Sequence, residues 1–174
     1  MMHDTSEPTG EKYNAALVSV RRVHEGLMVV RVRPDDGPRI GDMLAACSAR
    51  TAYFFHPYPL THASGLQVAA DVKLHCFIAF DESGAAVGYI WIRRDREPAS
   101  LGMVVRDDRQ GQGIGQILMD KIVSEADQLG KKGIALTVLQ DNHPALKLYH
   151  RFGFKITKET QNENQTVYQM IKIL

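Results

Sequence analysis

Residues 104–122 read VVRDDRQGQGIGQILMDKI. Two valines close an apolar run, a charged turn follows, and Gly111, Gly113 and Gly115 alternate just where helical periodicity begins. This glycine-rich hand-over from strand to helix constrains the fold more than any other feature of the chain. Before it, ASLGMVV (99–105) is almost wholly apolar, as expected of a strand covered on both faces. After it, Ile114, Ile117, Leu118, Ile122, Ala126 and Leu129 recur at helical spacing, which predicts a helix over 113–129. Gly130 follows as a C-cap, and GIALTVL (133–139) reads as the next strand. A strand–helix–strand unit of this length requires a parallel or near-parallel pair.

A helix start leaves backbone N–H groups unpaired and carries partial positive charge. Glycines let a bulky anion approach those groups, because no Cβ intervenes. The segment therefore reads as a cradle suited to a pyrophosphate, with Arg109 at its lip. A plain turn would need one glycine, whereas three, each costing about 1 kcal/mol in a helical turn, favour the cradle. No Gly-Lys-Ser/Thr follows, so it is not a P-loop. Gln116 stands where the third glycine of a dinucleotide fingerprint belongs, and the strand 133–139 lacks the acidic residue expected at its end. A dinucleotide-dependent oxidoreductase is disfavoured on both counts.

Elsewhere, β-branched runs at 16–23 and 27–33 read as a hairpin, and helical spacing begins near Pro38, with Ile40, Leu44 and Cys47 on one side. FFHPYPLTHASG reads as an irregular loop, followed by a short helix near 63–70. A second hairpin is expected from 74–80 and 85–93, a short helix over NHPALKLYHR with Pro144 in its first turn, and two closing strands around the polar turn TQNENQ. The 174 residues suffice for one packed domain, expected over 15–174, with a polar tail over 1–14 that has no signal-peptide core. A net charge of +1 argues against a nucleic-acid partner, and no apolar run is long enough for a membrane span. Cys47 and Cys76 sit in apolar surroundings and read as buried hydrophobes in a reducing, cytoplasmic setting. No Cys/His spacing suggests a metal site.

QGQGIG (110–115), behind a strand that ends in valine, matches the Q/R-x-x-G-x-G/A pattern of the GNAT acetyltransferase superfamily. Further on, Asn142, Ala145, Leu148, Tyr149, Gly153 and Phe154 match that family's asparagine, alanine, leucine-tyrosine and glycine-phenylalanine positions. VRVRPDD also resembles its usual first strand and turn. The resemblance implies a mixed α/β fold: a mostly antiparallel central sheet flanked by helices, with one parallel pair splayed at the coenzyme site. It implies acetyl-CoA as cosubstrate and an amine of a small molecule or peptide as acceptor, attacked directly in a ternary complex. The coenzyme's two-amide arm would then bond the backbone of Met103, Val104 and Val105 as a further strand, with Gly102 marking a bulge that helps the opening. Arg109, Gln110, Gly111, Gln112, Gly113, Ile114, Gly115 and Gln116 would hold the pyrophosphate, and Asn142 would reach the coenzyme from the following helix. Tyr149 would be the general acid that protonates the departing sulfur, and an N–H near Val104 or Val105 the oxyanion donor. A homodimer paired through edge strands is also in keeping with the family.

Some relatives carry a glutamate as base on the strand before the asparagine; Thr137 stands there and cannot serve. A water chain, Glu97, His56, His75 and His143 are the alternatives, the histidines by their titration range alone. Phe54, Phe55 and Tyr58 read equally as an acceptor wall or as core. Arg93, Arg94 and Arg96 read as an anchor for an acidic acceptor or, more simply, as a solvated connector. A non-catalytic acetyl-CoA-binding module is the competing function.

Overall fold

A computed structural model describes residues 26–55, 57–162 and 164–174. The expected tail (1–14), the first expected strand (16–23) and His56 lie outside these described residues. The elements are β1 (Met28–Arg31), α1 (Gly37–Ala45), α2 (Ala49–Phe54), α3 (His62–Ala70), β2 (Leu74–Phe80), β3 (Ala86–Arg93), β4 (Ala99–Val105), α4 (Ile114–Gln128), β5 (Gly133–Leu139), α5 (His143–Arg151), β6 (Lys155–Asn162) and β7 (Gln165–Ile173). Among the described residues the strands form one sheet in the order β1-β2-β3-β4-β5-β7-β6. Neighbours are antiparallel throughout except for the parallel pair β4–β5.

The apolar stripe of α4 explains its place. Ile114, Leu118, Met119, Ile122 and Ala126 are all buried and pack on one sheet face against Val87, Ile90, Ile92, Leu101 and Ile134. On the other face Ile40, Met43 and Leu44 of α1 and Val68 of α3 cover Ile78, Phe80, Tyr89, Trp91 and Val104. The middle strands are thus buried on both sides, and β3 is buried at every position but its last. Among the described residues no helix is long and apolar enough to cross a membrane.

Two local differences from the sequence reading have physical causes. The helix that starts near Pro38 stops at Ala45, because Ser48 turns extended and caps a new helix, α2, its Oγ accepting from the Thr51 N–H at 3.3 Å. Gly102 is no bulge: the β3–β4 register runs without a shift from Gly88 opposite Val105 to Ile92 opposite Leu101. Instead the Trp91 indole lies so close over Gly102 that a Cβ there would run into its ring atoms.

Both cysteines are free. Burial pushes the Cys76 thiol up to about 12 and the half-buried Cys47 thiol up to about 11, Asp107 adding to the latter, so both stay protonated and inert near neutral pH.

The Gly102 contact gives a test of the packing. Gly102→Ala forces the indole aside and should cost about 1–3 kcal/mol, with each kcal/mol lowering Tm by roughly 2–4 °C. An unchanged melting curve would mean that Trp91 does not fill this space.

Candidate active site

The site begins where β4 and β5 part. Their parallel register covers only Ala99 opposite Ile134 and Ser100 opposite Ala135. Beyond these pairs the strands diverge, and a cleft of about 620 Å³ opens between Leu101–Val105 on one bank and Thr137–Leu139 on the other. Which backbone groups face it follows from the β3–β4 ladder. Arg106 N–H bonds the Val87 carbonyl at 2.9 Å, so Val104 and Gly102, two and four residues back, also turn their N–H and C=O toward β3. Met103 and Val105 turn theirs into the gap, and the Val105 carbonyl accepts from Gln110 Nε2 at 3.0 Å. Val104 therefore lines the cleft without offering it a backbone hydrogen bond.

The cradle tops this bank. Gly111 has φ 75° and Gly113, the N-cap of α4, has φ 82°, so the turn itself requires glycine at two positions. That is more than the one glycine a plain turn was expected to need. Gly115 differs: it sits inside α4, where a Cβ would press on Leu148 at 3.3 Å. Among the described residues no acceptor meets the N–H groups of Gly111 through Gly115, while those of Gln116 and Ile117 both turn back to the Gly113 carbonyl. Five successive unpartnered amides at a helix start are arranged as a place that could take an anion.

The charged residues of the turn are otherwise engaged. Arg109 donates to Asp81 Oδ2 at 2.6 Å, and Arg106 grips Asp108 through Nε and a terminal nitrogen at 2.6 and 2.9 Å. The Asp81 carboxyl is held below the usual range, chiefly by the Ser83 hydroxyl and then by backbone N–H groups and Arg109. Asp107 accepts from the Ser48 N–H at 2.8 Å, the Ser48 hydroxyl at 2.5 Å and the Thr51 hydroxyl at 2.8 Å. Burial would raise its pKa, but these donors, Ser48 first, lower it on balance. Gln110 Nε2 also reaches the Thr51 hydroxyl at 3.2 Å. α2 is thereby fastened to the cradle rim, and at its other end Tyr53 Oη donates to Asp141 beyond β5 at 3.3 Å. The helix straps the open end of the splay.

The far bank leads to α5. Asn142 caps it, Oδ1 accepting from the Ala145 N–H at 3.4 Å, and the residue lines the cleft. Tyr149 borders the same cleft, 7% exposed, its ring 5.7 Å from that of Phe154. Among the described residues nothing hydrogen-bonds its phenol, and burial pushes its pKa up to about 12.

The sequence-derived residues thus fall in two groups. Met103, Val104, Val105, Arg109, Gln110, Gly111, Gly113, Ile114, Gly115, Gln116, Asn142 and Tyr149 all line the cleft. Gln112 does not; its amide ties back to the Asp108 carbonyl at 3.1 Å, and it borders a neighbouring hollow. Phe54 and Phe55 line the cleft, whereas Tyr58 stacks edge-on against Phe55 from the core side. The connector with Arg93, Arg94, Arg96 and Glu97 precedes β4 and lies at the closed end of the splay. There Arg93 pairs with Asp95 and Asp71, and Glu97 accepts from the Lys132 N–H. His75 is bound to Glu125, away from the cleft. Arg50, Thr51 and Pro57 also line the cleft and were not singled out from sequence. Among the described lining residues none is Asp, Glu or His, and no group of three or more His, Cys, Asp and Glu is placed to hold a metal.

The acetyltransferase (GNAT) family profile matches residues 43–154. Mycothiol acetyltransferase of Actinosynnema mirum is 30% identical over 154 residues, covering 80% of this chain and 48% of its own length. The chain spans about half the length of the first curated relatives it matches. Among solved structures, a GNAT acetyltransferase of Streptococcus pneumoniae superposes with TM-score 0.71 at 21% identity, covering 85% of this chain and 99% of its own. Salmonella typhimurium yncA, solved with its cofactor acetyl-CoA, does so with TM-score 0.71 at 16% identity, covering 86% and 94%.

The strap makes its own prediction. Asp107→Ala removes the acceptor of three hydrogen bonds and should free α2 locally, at about 1–3 kcal/mol. Hydrogen–deuterium exchange should quicken across residues 48–55 and not across α4; equal protection in the variant would show that α2 is held by other contacts.

Proposed function

The chain belongs to the GNAT acetyltransferase family, and from that premise we propose that it transfers the acetyl group of acetyl-CoA to a primary amine by direct attack in a ternary complex. The observation that carries this reading is the splay, with its free backbone groups leading straight to the five open amides. An arm with two amides fits the gap as an added strand, bonded by Met103 and Val105. The pyrophosphate fits the amides of Gly111 to Gly115, and Asn142 lines the same channel.

Of the two N–H groups that face the gap, that of Val105 lies beside the cradle, so that of Met103, farther along the arm toward the thioester, rather than one at Val104 or Val105, is the donor for the oxyanion formed on attack. Tyr149 holds the proton that the departing thiolate needs. Its raised pKa keeps the phenol protonated at any working pH, which suits an acid and not a base. With no carboxylate or imidazole in the described lining, the amine reaches the thioester already neutral or loses its proton through water. Phe54 and Phe55 form an apolar wall for the acceptor, and the cleft volume of about 620 Å³, shared with the coenzyme arm, suits a small molecule or a chain end. Relatives carry the names mycothiol acetyltransferase and L-amino acid N-acetyltransferase, in keeping with an acceptor of this scale.

Tyr149→Phe should lower kcat by roughly 10²–10⁴-fold and leave the calorimetric affinity for CoA within a small factor. Full turnover in the variant would remove Tyr149 from the acid's role. The pH profile is a separate test. Where no enzyme group takes the amine's proton, kcat/KM should rise with pH through the acceptor amine's own pKa and shift when the acceptor is changed. The phenol, pushed up to about 12 by burial, should impose no alkaline fall below about pH 10. A rising limb near pH 6.5 that stays put whatever the acceptor would point instead to a histidine of the enzyme.

A further inference from the structure

The cradle offers partial charges, yet the turn that carries it is poor in available cations. Arg106 and Arg109 face three carboxylates, Asp81, Asp107 and Asp108, and both guanidiniums are engaged by them: Arg109 on Asp81, which Ser83 and Ala85 fix in place, and Arg106 on Asp108. Arg109 stands at the lip with its charge already answered. A ligand carrying several phosphate charges would meet a rim with no surplus positive charge.

One further arginine lines the cleft. Arg50, in the first turn of α2, is exposed, and among the described residues its guanidinium makes no hydrogen bond or ion pair. Its place is not that of a loose surface side chain. Ser48 and Thr51, on either side of it, are bonded to Asp107, and Thr51 also to Gln110, so the backbone that carries Arg50 is pinned beside the open amides.

We propose that Arg50 supplies the formal positive charge for the phosphate groups of the donor, reaching from α2 to the anion held on the amides of residues 111–115. The proposal rests on the acetyl-CoA reading above and adds to it a binding residue from outside the cradle. A guanidinium suits this task, since its fork can engage two phosphate oxygens at once. The same reach would also suit an acidic group on the acceptor, and the two roles separate by experiment.

The full chain and its Arg50→Gln and Arg50→Lys variants are compared with acetyl-CoA and with acetyl-pantetheine, a thioester that lacks every phosphate, using one acceptor amine. The ratio of kcat/KM for acetyl-CoA over that for acetyl-pantetheine should fall at least tenfold in Arg50→Gln. It should recover in part in Arg50→Lys, which keeps the charge, and the wild-type ratio should drop steeply with added salt. A ratio that stays at the wild-type value in Arg50→Gln overturns the proposal. A raised acceptor KM without a change in that ratio does so too, and moves Arg50 to the acceptor side. A wild type that binds neither CoA nor acetyl-CoA in calorimetry defeats the acetyl-CoA reading itself, a result distinct from either outcome at Arg50.

Discussion

Two residue pairs of parallel ladder, Ala99 with Ile134 and Ser100 with Ala135, hold β4 to β5, and the site depends on the pairing stopping there. A parallel strand in the middle of a sheet would normally have both edges satisfied. Here one edge of β4 stays on β3 from Leu101 to Val105 while the other is released after two pairs. The cost of leaving Met103 and Val105 without β5 is accepted in exchange for a slot lined by backbone groups. α4 then starts at the end of the same strand, so the slot and the anion cradle are one continuous feature of a single connection.

What surrounds that feature mostly fixes geometry. Asp81 ties Arg109 to the β2–β3 turn, Asp107 and Gln110 tie α2 to the cradle rim, and Asn142 caps α5 while lining the cleft. Charges that look available in a linear sequence are spent on orientation. The acid–base chemistry is correspondingly lean: among the described lining residues Tyr149 alone offers a titratable phenol, and none offers a carboxylate or an imidazole.

Much of this frame was legible beforehand. β2, β4 and β5 span the residues their apolar runs suggested, and α4 follows from its stripe, because burial on two faces or on one stripe writes itself directly into periodicity. The cradle was legible because the residues that make it are adjacent in sequence. What escaped is non-local. That Arg109 faces Asp81 depends on a turn 28 residues upstream, and that Gly102 makes room for Trp91 depends on the β3–β4 register. That Val104 turns its backbone away from the cleft is a matter of ladder parity, which no composition reveals. α2 was hidden inside what read as one longer helix and a loop. Its signal was present in Ser48, a good N-cap residue three before Thr51, and would have been found by asking where the carboxylate of Asp107 is satisfied.

The claim beneath the whole account is that a ligand completes the edge β5 leaves open. The most direct test is the backbone amide spectrum of the ¹⁵N-labelled protein as CoA is added. The account predicts large shifts, with slowed exchange, for the amides of Met103 and Val105 and of Gly111 to Gly115, while Val104, already bonded to β3, moves little. A titration that binds CoA yet leaves Met103, Val105 and the cradle amides at their free positions would contradict it.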